Sequence, residues 1–393
     1  MHLVALITAG LLANSLHLQS QWWLDEYDLA SIATGKGVTV AVIDTGIDSS
    51  HPDLDGVVIG GADFSGSGRP NGTSPVGPSG FHGTMVASLI AGQGRESGGV
   101  AGVAPDAKLL SVSIGLGLPD ADTDRQIAQA VRWSVDNGAQ IINLSISRNS
   151  VSWPASWDSA FLYAMDRGVL IIAASGNESQ NLKSATAPAT LPGVVSVTAV
   201  DEDNQTVAGA GSSGIGVSLA APGVDLLGSF PGGDVRRWSG SSAAAPLVAG
   251  VAALILEKDP SASANDIIQR LISTTTDLGD SGFDGEYGWG LVSPAGALLA
   301  TDKAQTNPLG SLAVWIRLYR PQTAEDTADL VIPQEVGPLE AENDGNSTPT
   351  YSEVLSNPLL YVLLVPLALL LWFVYRNRLG RAGKKKPEGN SIS

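Results

Sequence analysis

None of the 393 residues is cysteine. That absence excludes disulfides, thiolate metal sites, thioether-linked haem and a cysteine nucleophile together. It does not define a reducing compartment, because exported bacterial chains also avoid cysteine. Charge is scarce as well, at 16% of residues, and the basic sign is the scarcer: 22 Lys and Arg stand against 39 Asp and Glu, for a net charge of −17. A nucleic-acid partner needs a basic face, so none is expected. Low charge combined with 46 glycines suits a loop-rich globular unit rather than a disordered chain. The length allows one large domain with appendages, or two domains, with a sizeable core in either case.

Charge vanishes entirely over residues 358–375, PLLYVLLVPLALLLWFVY. Eighteen helical residues rise roughly 27 Å, close to the about 30 Å of a bilayer core. Tyr361, Trp372 and Tyr375 sit near the ends, where interfacial aromatics are found. Residues 376–393 then hold six basic side chains and one acidic one, a charge of +5, which leaves 16 basic and 38 acidic residues, or −22, in everything before. The positive-inside rule places this tail in the cytoplasm and the acidic part outside. At the other end, residues 1–15 contain an apolar run, Leu3–Ala13, of signal-peptide length, although no Lys or Arg precedes it. The expected location is therefore the cell membrane, single-pass, with the lipid bilayer as a partner. Residues 301–357 turn polar and Pro-rich and read as a linker, within which the apolar Leu312–Tyr319 is a candidate for docking on the domain. Residues 16–36 read as an N-terminal arm that packs through Trp22, Trp23 and Tyr27.

Between these ends, apolar runs alternate with helical patterns. Val38–Ile43, Lys108–Ile114, Gln140–Ile146, Val169–Ala174, Val194–Val200 and Val217–Ala220 read as strands. His82–Ala91, Thr123–Asn137, Ser156–Arg167, Ser242–Lys258 and Ala264–Ser273 read as helices. Strands that are apolar on both faces and alternate with helices imply a three-layer α/β fold with a mainly parallel central sheet. In such folds sites gather at the carboxyl ends of strands.

Three segments carry chemistry. Asp44 ends a buried-looking strand, His82 opens a helix after a Gly/Pro/Ser-rich loop, and Ser242 opens another within GSSAAAP. Singly each is ambiguous: a strand-end Asp commonly caps a turn, a His at a helix start is usually a cap, and Asp-Thr-Gly also marks aspartic proteases. That last reading needs a second Asp-Thr-Gly or a dimer, and it leaves His82 and Ser242 without a role. The order Asp, His, Ser is one of the chain orders known for a serine-nucleophile triad.

The segments VAVIDTGID, HGTMVASLIAG and GSSAAAPLVAG resemble the three signature motifs of the subtilisin-like serine proteases. GVAPDAKLLSVSI, IINLSIS, AASGN, LAAPG and YGWGLVSPAGAL extend the resemblance over residues 37–300. It implies a subtilisin-like catalytic domain acting on polypeptide substrates. Asp44, His82 and Ser242 would form the triad, and Asn177 would join the Ser242 N–H in the oxyanion hole. Extended substrate would lie beside two segments, Ile114, Gly115 and Leu116 in one and Ser145, Ile146 and Ser147 in the other. Where the family usually has Ser-Leu-Gly-Gly, this chain has Ser145-Ile146-Ser147-Arg148, so two glycines that shape the pocket are missing. Only about thirty residues separate the signal-like region from Asp44, which leaves no room for the family's inhibitory propeptide.

The order of signal, short arm, catalytic domain, Pro-rich linker, membrane helix and basic tail resembles the mycosins. These are membrane-anchored subtilases of type VII secretion, although they normally carry disulfides. The resemblance implies membrane components of a secretion system as partners. A scaffold subunit with the same fold and a generic cell-surface subtilase are the alternatives. No cofactor is expected. Calcium sites are common in the superfamily, but the acidic loops here (Asp120, Asp122, Asp124; Asp201, Glu202, Asp203; Asp280, Asp284) lack a diagnostic spacing and read first as solvated carboxylates.

Overall fold

The computed structural model describes residues 21–27, 29–94, 98–177 and 184–320. The signal-like segment, most of the linker, the apolar segment 358–375 and the basic tail lie outside the described residues.

Seven strands form one sheet: β1 (Thr39–Asp44), β2 (Val58–Asp63), β3 (Lys108–Ser113), β4 (Ile141–Leu144), β5 (Leu170–Ala174), β6 (Val195–Val200) and β7 (Leu219–Pro222). Their spatial order is β2-β3-β1-β4-β5-β6-β7, and every pairing is parallel. Side chains alternate between faces along a strand. Val40 and Val42 of β1 therefore join one core cluster, while Ala41 and Ile43 join the other. Both faces are buried, which is why these strands read as unbroken apolar runs rather than as alternating ones.

On one face lie α2 (His82–Ala91), α5 (Ser241–Lys258), α6 (Ala264–Ser273) and α7 (Pro294–Leu299). On the other lie α3 (Thr123–Asp136), α4 (Ala155–Asp166) and α8 (Leu312–Tyr319). The three-layer α/β fold with a parallel central sheet is thus the one that the sequence pattern implied. α5 runs through the centre with most of its residues fully buried. Among the described residues it is the one helix long and apolar enough to cross a membrane, and its burial marks it as a core helix. Pro246 falls five residues past the start of α5, so it does not occupy the tolerated first position. Its ring nitrogen leaves the carbonyl four residues earlier, that of Ser242, without the usual helical partner.

Two features were not legible as strands. β2 contains Gly60 and Gly61, and a Cβ at Gly61 would stand 2.0 Å from the Ser111 carbonyl oxygen, so the close approach to β3 demands glycine. β8 (Leu226–Phe230) and β9 (Asp234–Trp238) form an antiparallel hairpin whose turn uses Gly232 and Gly233 at φ 88° and 92°.

The short helix α1 (Leu24–Tyr27) places Trp23 and Tyr27, each 1% exposed, edge to face in the core. Glu257 of α5 accepts from the N–H groups of Thr34, Gly35 and Lys36 and ties the arm down. Packing also continues beyond residue 300. Asp266 of α6 accepts from the Ala304 N–H, Leu312 of α8 is buried, and Arg320 pairs with Asp158 of α4 at 2.7 Å.

Candidate active site

Parallel strands deliver their carboxyl ends to one edge. β1 ends at Asp44, which is fully buried. The Thr45 N–H donates to Asp44 Oδ1 at 2.7 Å. The Thr45 hydroxyl contacts the Gly80 carbonyl and accepts from the Gly83 N–H, so it ties the strand end to the first turn of α2. Gly83 is required there: a Cβ would stand 2.4 Å from the Gly46 carbonyl oxygen and 3.2 Å from the Asp44 Cβ. This seating brings His82 Nδ1 within 2.9 Å of both carboxylate oxygens of Asp44. The imidazole is 20% exposed, while the carboxylate is 1% exposed.

The electrostatics follow from this contact. Burial disfavours the imidazolium, but the Asp44 charge and its hydrogen bond outweigh that cost. The pKa of His82 is raised above the ordinary 6.5. Nδ1–H donates to Asp44, which leaves Nε2 as the basic nitrogen.

Gly240, at φ 151°, leads into α5, and Ser242 is the second helical residue. Its Oγ donates to the Ser145 carbonyl at 2.9 Å, not to His82. The serine–histidine link that the triad expectation called for is thus not formed in this resting arrangement. Such catalytic hydrogen bonds commonly form only when substrate is bound. Asn177 follows β5, and its Oδ1 accepts from both the N–H and the hydroxyl of Ser241. Because the amide oxygen is held this way, Nδ2 is the end left to donate to a ligand. A Cβ at Gly240 would stand 3.2 Å from that Nδ2, so the bare glycine keeps the space open. The site therefore joins a base, an orienting carboxylate, a hydroxyl at a helix N-terminus and a neutral amide donor.

Sequence reading passed over Thr45, Ser241 and Trp238. Trp238 of β9 packs edge to face on His82 with 5.4 Å between ring centres. The first serine of Gly-Ser-Ser was a usable signal for Ser241; nothing local marked Trp238.

The two expected substrate segments fare differently. Ser145, Ile146 and Ser147 form a segment that meets Ser242, with the Ser145 carbonyl accepting from Ser242 Oγ. Ile114 is fully buried and its N–H bonds to Asp44 O. The Gly115 N–H goes to Gln126 Oε1, and the Leu116 N–H turns back to Ile114 O. Those three donors are satisfied within the chain, so Ile114, Gly115 and Leu116 do not present the donor edge that strand addition needs.

Among the described residues no three His, Asp or Glu side chains gather to hold a metal. The acidic loops have other partners. Asp122 caps α3, Asp201 accepts from the Asp203 and Gln205 N–H groups, and Asp284 accepts from those of Glu286 and Tyr287.

With this constellation at the carboxyl edge of a seven-stranded parallel sheet, the chain belongs to the Subtilase family, which matches residues 35–290. It is 41% identical over 264 residues to the M-protease of Shouchella clausii, a match that takes in 67% of this chain and 65% of that protein's length. It is 40% identical over 264 residues to subtilisin Savinase of Lederbergia lenta, covering 67% of this chain and 91% of the relative. Among solved structures, MycP1 from the ESX-1 type VII secretion system is similar with a TM-score of 0.64 at 28% identity, over 74% of this chain and 88% of that one.

Proposed function

We propose that the protein is a membrane-anchored, extracytoplasmic serine endopeptidase. Ser242 attacks the scissile carbonyl, and His82 takes its proton and returns it to the leaving amine. Asp44 fixes the His82 tautomer and stabilises the imidazolium. The Ser242 N–H and Asn177 Nδ2 receive the oxyanion. The observation that carries this reading is His82 Nδ1 seated on both Asp44 oxygens, on the edge where Ser242 opens α5. In the resting state Ser242 must rotate from the Ser145 carbonyl toward His82 Nε2. Substrate laid along Ser145–Ser147 competes for that carbonyl's surroundings and favours the turn.

The anchor and the orientation rest on the apolar segment 358–375 and the +5 tail, which make the domain extracytoplasmic and the C-terminus cytoplasmic. A mycosin-like role linked to type VII secretion is supported by the likeness to MycP1 and by the order of segments. In that setting the partners are polypeptide substrates, the bilayer and membrane components of the secretion machinery. The same likeness favours a second reading, a scaffold subunit of that machinery with the same fold. Ser242→Ala in the native host separates the two. Loss of substrate processing with secretion intact assigns catalysis to the triad and assembly to the fold. Unchanged processing contradicts the endopeptidase reading.

A further inference from the structure

His51 is buried, with none of its side chain exposed, and the reaction outlined above makes no use of it. It lies on the loop that leads from Asp44 at the end of β1 into a single 3-10 turn, Pro52–Leu54. Both ring nitrogens are engaged. Nδ1 accepts from the Asp53 N–H at 3.1 Å and so caps the turn. A ring nitrogen that accepts carries no proton, so the imidazole is neutral and Nε2 bears the hydrogen. Nε2 donates to the Asp234 carbonyl, 2.9 Å away, at the start of β9. The carboxylates that face the ring are those of Asp53, whose Oδ2 is 3.7 Å from Nδ1, and Asp48.

The hairpin β8–β9 is fastened to this loop at two further points. The Gly232 N–H donates to Asp48 Oδ2 at 3.0 Å, and the Ser229 hydroxyl donates to Asp53 Oδ2 at 2.7 Å. The hairpin also meets α2. Phe230 stacks on Phe81, the residue before His82, with 5.3 Å between ring centres, and Trp238 packs edge to face on His82 itself. Gly228 permits that fit, because a Cβ there would stand 2.9 Å from both Met85 Cβ and Trp238 Nε1. The hairpin is thus a packed bridge from His51 to the aromatic cover of His82.

We infer that His51 is a positioning residue for His82: its bond to the Asp234 carbonyl sets how closely Trp238 covers the imidazole. The inference rests on the endopeptidase reading above and deepens it. Asp44 holds one edge of the His82 ring, and the Trp238 edge limits its tilt and keeps water from one side. Of the two His51 contacts, the one through Nε2 reaches the hairpin, whereas the cap through Nδ1 is local. Two substitutions separate them. Asn supplies an acceptor near the place of Nδ1 and is a good cap, but it is too short for Asp234. Gln supplies an amide donor near the place of Nε2. Burial presses the His82 pKa down while Asp44 presses it up. Withdrawing Trp238 relieves the burial and leaves Asp44 in place, so the pKa rises further.

The test uses the full chain as wild type, His51→Asn, His51→Gln, Trp238→Ala and the double variant His51→Asn/Trp238→Ala. Carbethoxylation of His82 by diethyl pyrocarbonate, followed across pH by peptide mass mapping, gives the midpoint of its titration without any turnover. kcat and KM on a peptide substrate are measured beside it. His51→Asn and Trp238→Ala are each expected to raise the midpoint by about 0.5 pH unit. His51→Asn is expected to lower kcat by about tenfold with KM little changed. His51→Gln stays close to wild type, and the double variant shifts no further than Trp238→Ala, because both changes act on one contact. A midpoint that neither His51→Asn nor Trp238→Ala moves overturns the inference. So does a His51→Gln shift as large as that of His51→Asn, or an additive double variant. Shifted midpoints without cleavage by the wild type support the positioning role and contradict the endopeptidase reading. Cleavage that depends on Ser242 with an unmoved midpoint contradicts the positioning role alone.

Discussion

The N–H and the hydroxyl of Ser241 both lie within hydrogen-bond reach of Asn177 Oδ1, at 3.1 and 3.0 Å. The hydroxyl is also 2.9 Å from the Gly176 carbonyl and accepts from the Gly176 N–H. Ser241 is fully buried and touches no part of the expected substrate path, so it acts through Asn177 as a positioning residue. Asn177→Ala is expected to lower kcat by about 10²–10³-fold with KM little changed, because the donor matters most when the oxyanion forms. Ser241→Ala keeps the N–H contact and loses the hydroxyl, so a smaller fall in kcat follows, about tenfold. Ser241→Thr, which restores the hydroxyl, recovers activity. A fall confined to KM contradicts the assignment.

The pH profile follows from His82. Its folded pKa is raised, so the protonated ring is the form that Asp44 favours. A general base must be neutral. The acid limb of kcat/KM therefore has its midpoint above 6.5, and activity rises as pH passes it. Stability runs the opposite way. The contribution of the Asp44–His82 pair is full below the unfolded pKa of about 6.5 and is lost as pH rises through the higher folded value. Asp44→Asn removes the charge and the correct tautomer and is expected to lower kcat by about 10⁴-fold. An acid limb below 6 in the wild type contradicts this electrostatic account.

The sheet, its parallel sense and three of the four candidate-site side chains were legible because they sit in long periodic segments or at their ends. β1 and α2 announce Asp44 and His82 by apolar runs that stop at them, and α5 announces Ser242. Asn177 became legible only by resemblance, since a residue after a strand ordinarily reads as a turn. The hairpin β8–β9 was hidden because Asp234-Val-Arg-Arg-Trp238 is mostly exposed and carries no core-facing alternation. With it went Trp238, whose place against His82 depends on a tertiary contact that no local pattern encodes. At Ile114–Leu116 the fate of the N–H groups was hidden for a similar reason: Gln126, eleven residues on, takes the Gly115 N–H.

The N-terminal arm is an integral part of the core. Trp23 is 1% exposed and packs on Tyr27. Trp23→Ala is expected to cost about 3–5 kcal/mol in denaturant unfolding of the whole domain, as for other buried aromatics. A loss below about 1 kcal/mol would mean that the arm is dispensable.

Acid lability is expected around α6. Burial pushes the Asp266 carboxyl up, but the Ala304 and Ser263 N–H groups, the Ser263 hydroxyl and Lys303 outweigh it and bring its pKa down to about 2. A depressed carboxyl contributes stability above its unfolded pKa of about 3.9 and loses it as pH falls through the folded value. Asp266→Asn is therefore expected to lower Tm by about 2–4 °C at pH 7, with the gap to wild type closing near pH 2. An equal gap at both pH values would show that the carboxylate charge is irrelevant.

The most direct test of the central claim is covalent labelling of the intact protein with a serine-directed fluorophosphonate, followed by peptide mapping. Stoichiometric labelling of Ser242, abolished by His82→Ala and by Ser242→Ala and rising with pH along the same limb as kcat/KM, is the expected result. Absence of label on folded wild-type protein, or label that persists in Ser242→Ala, would contradict the account.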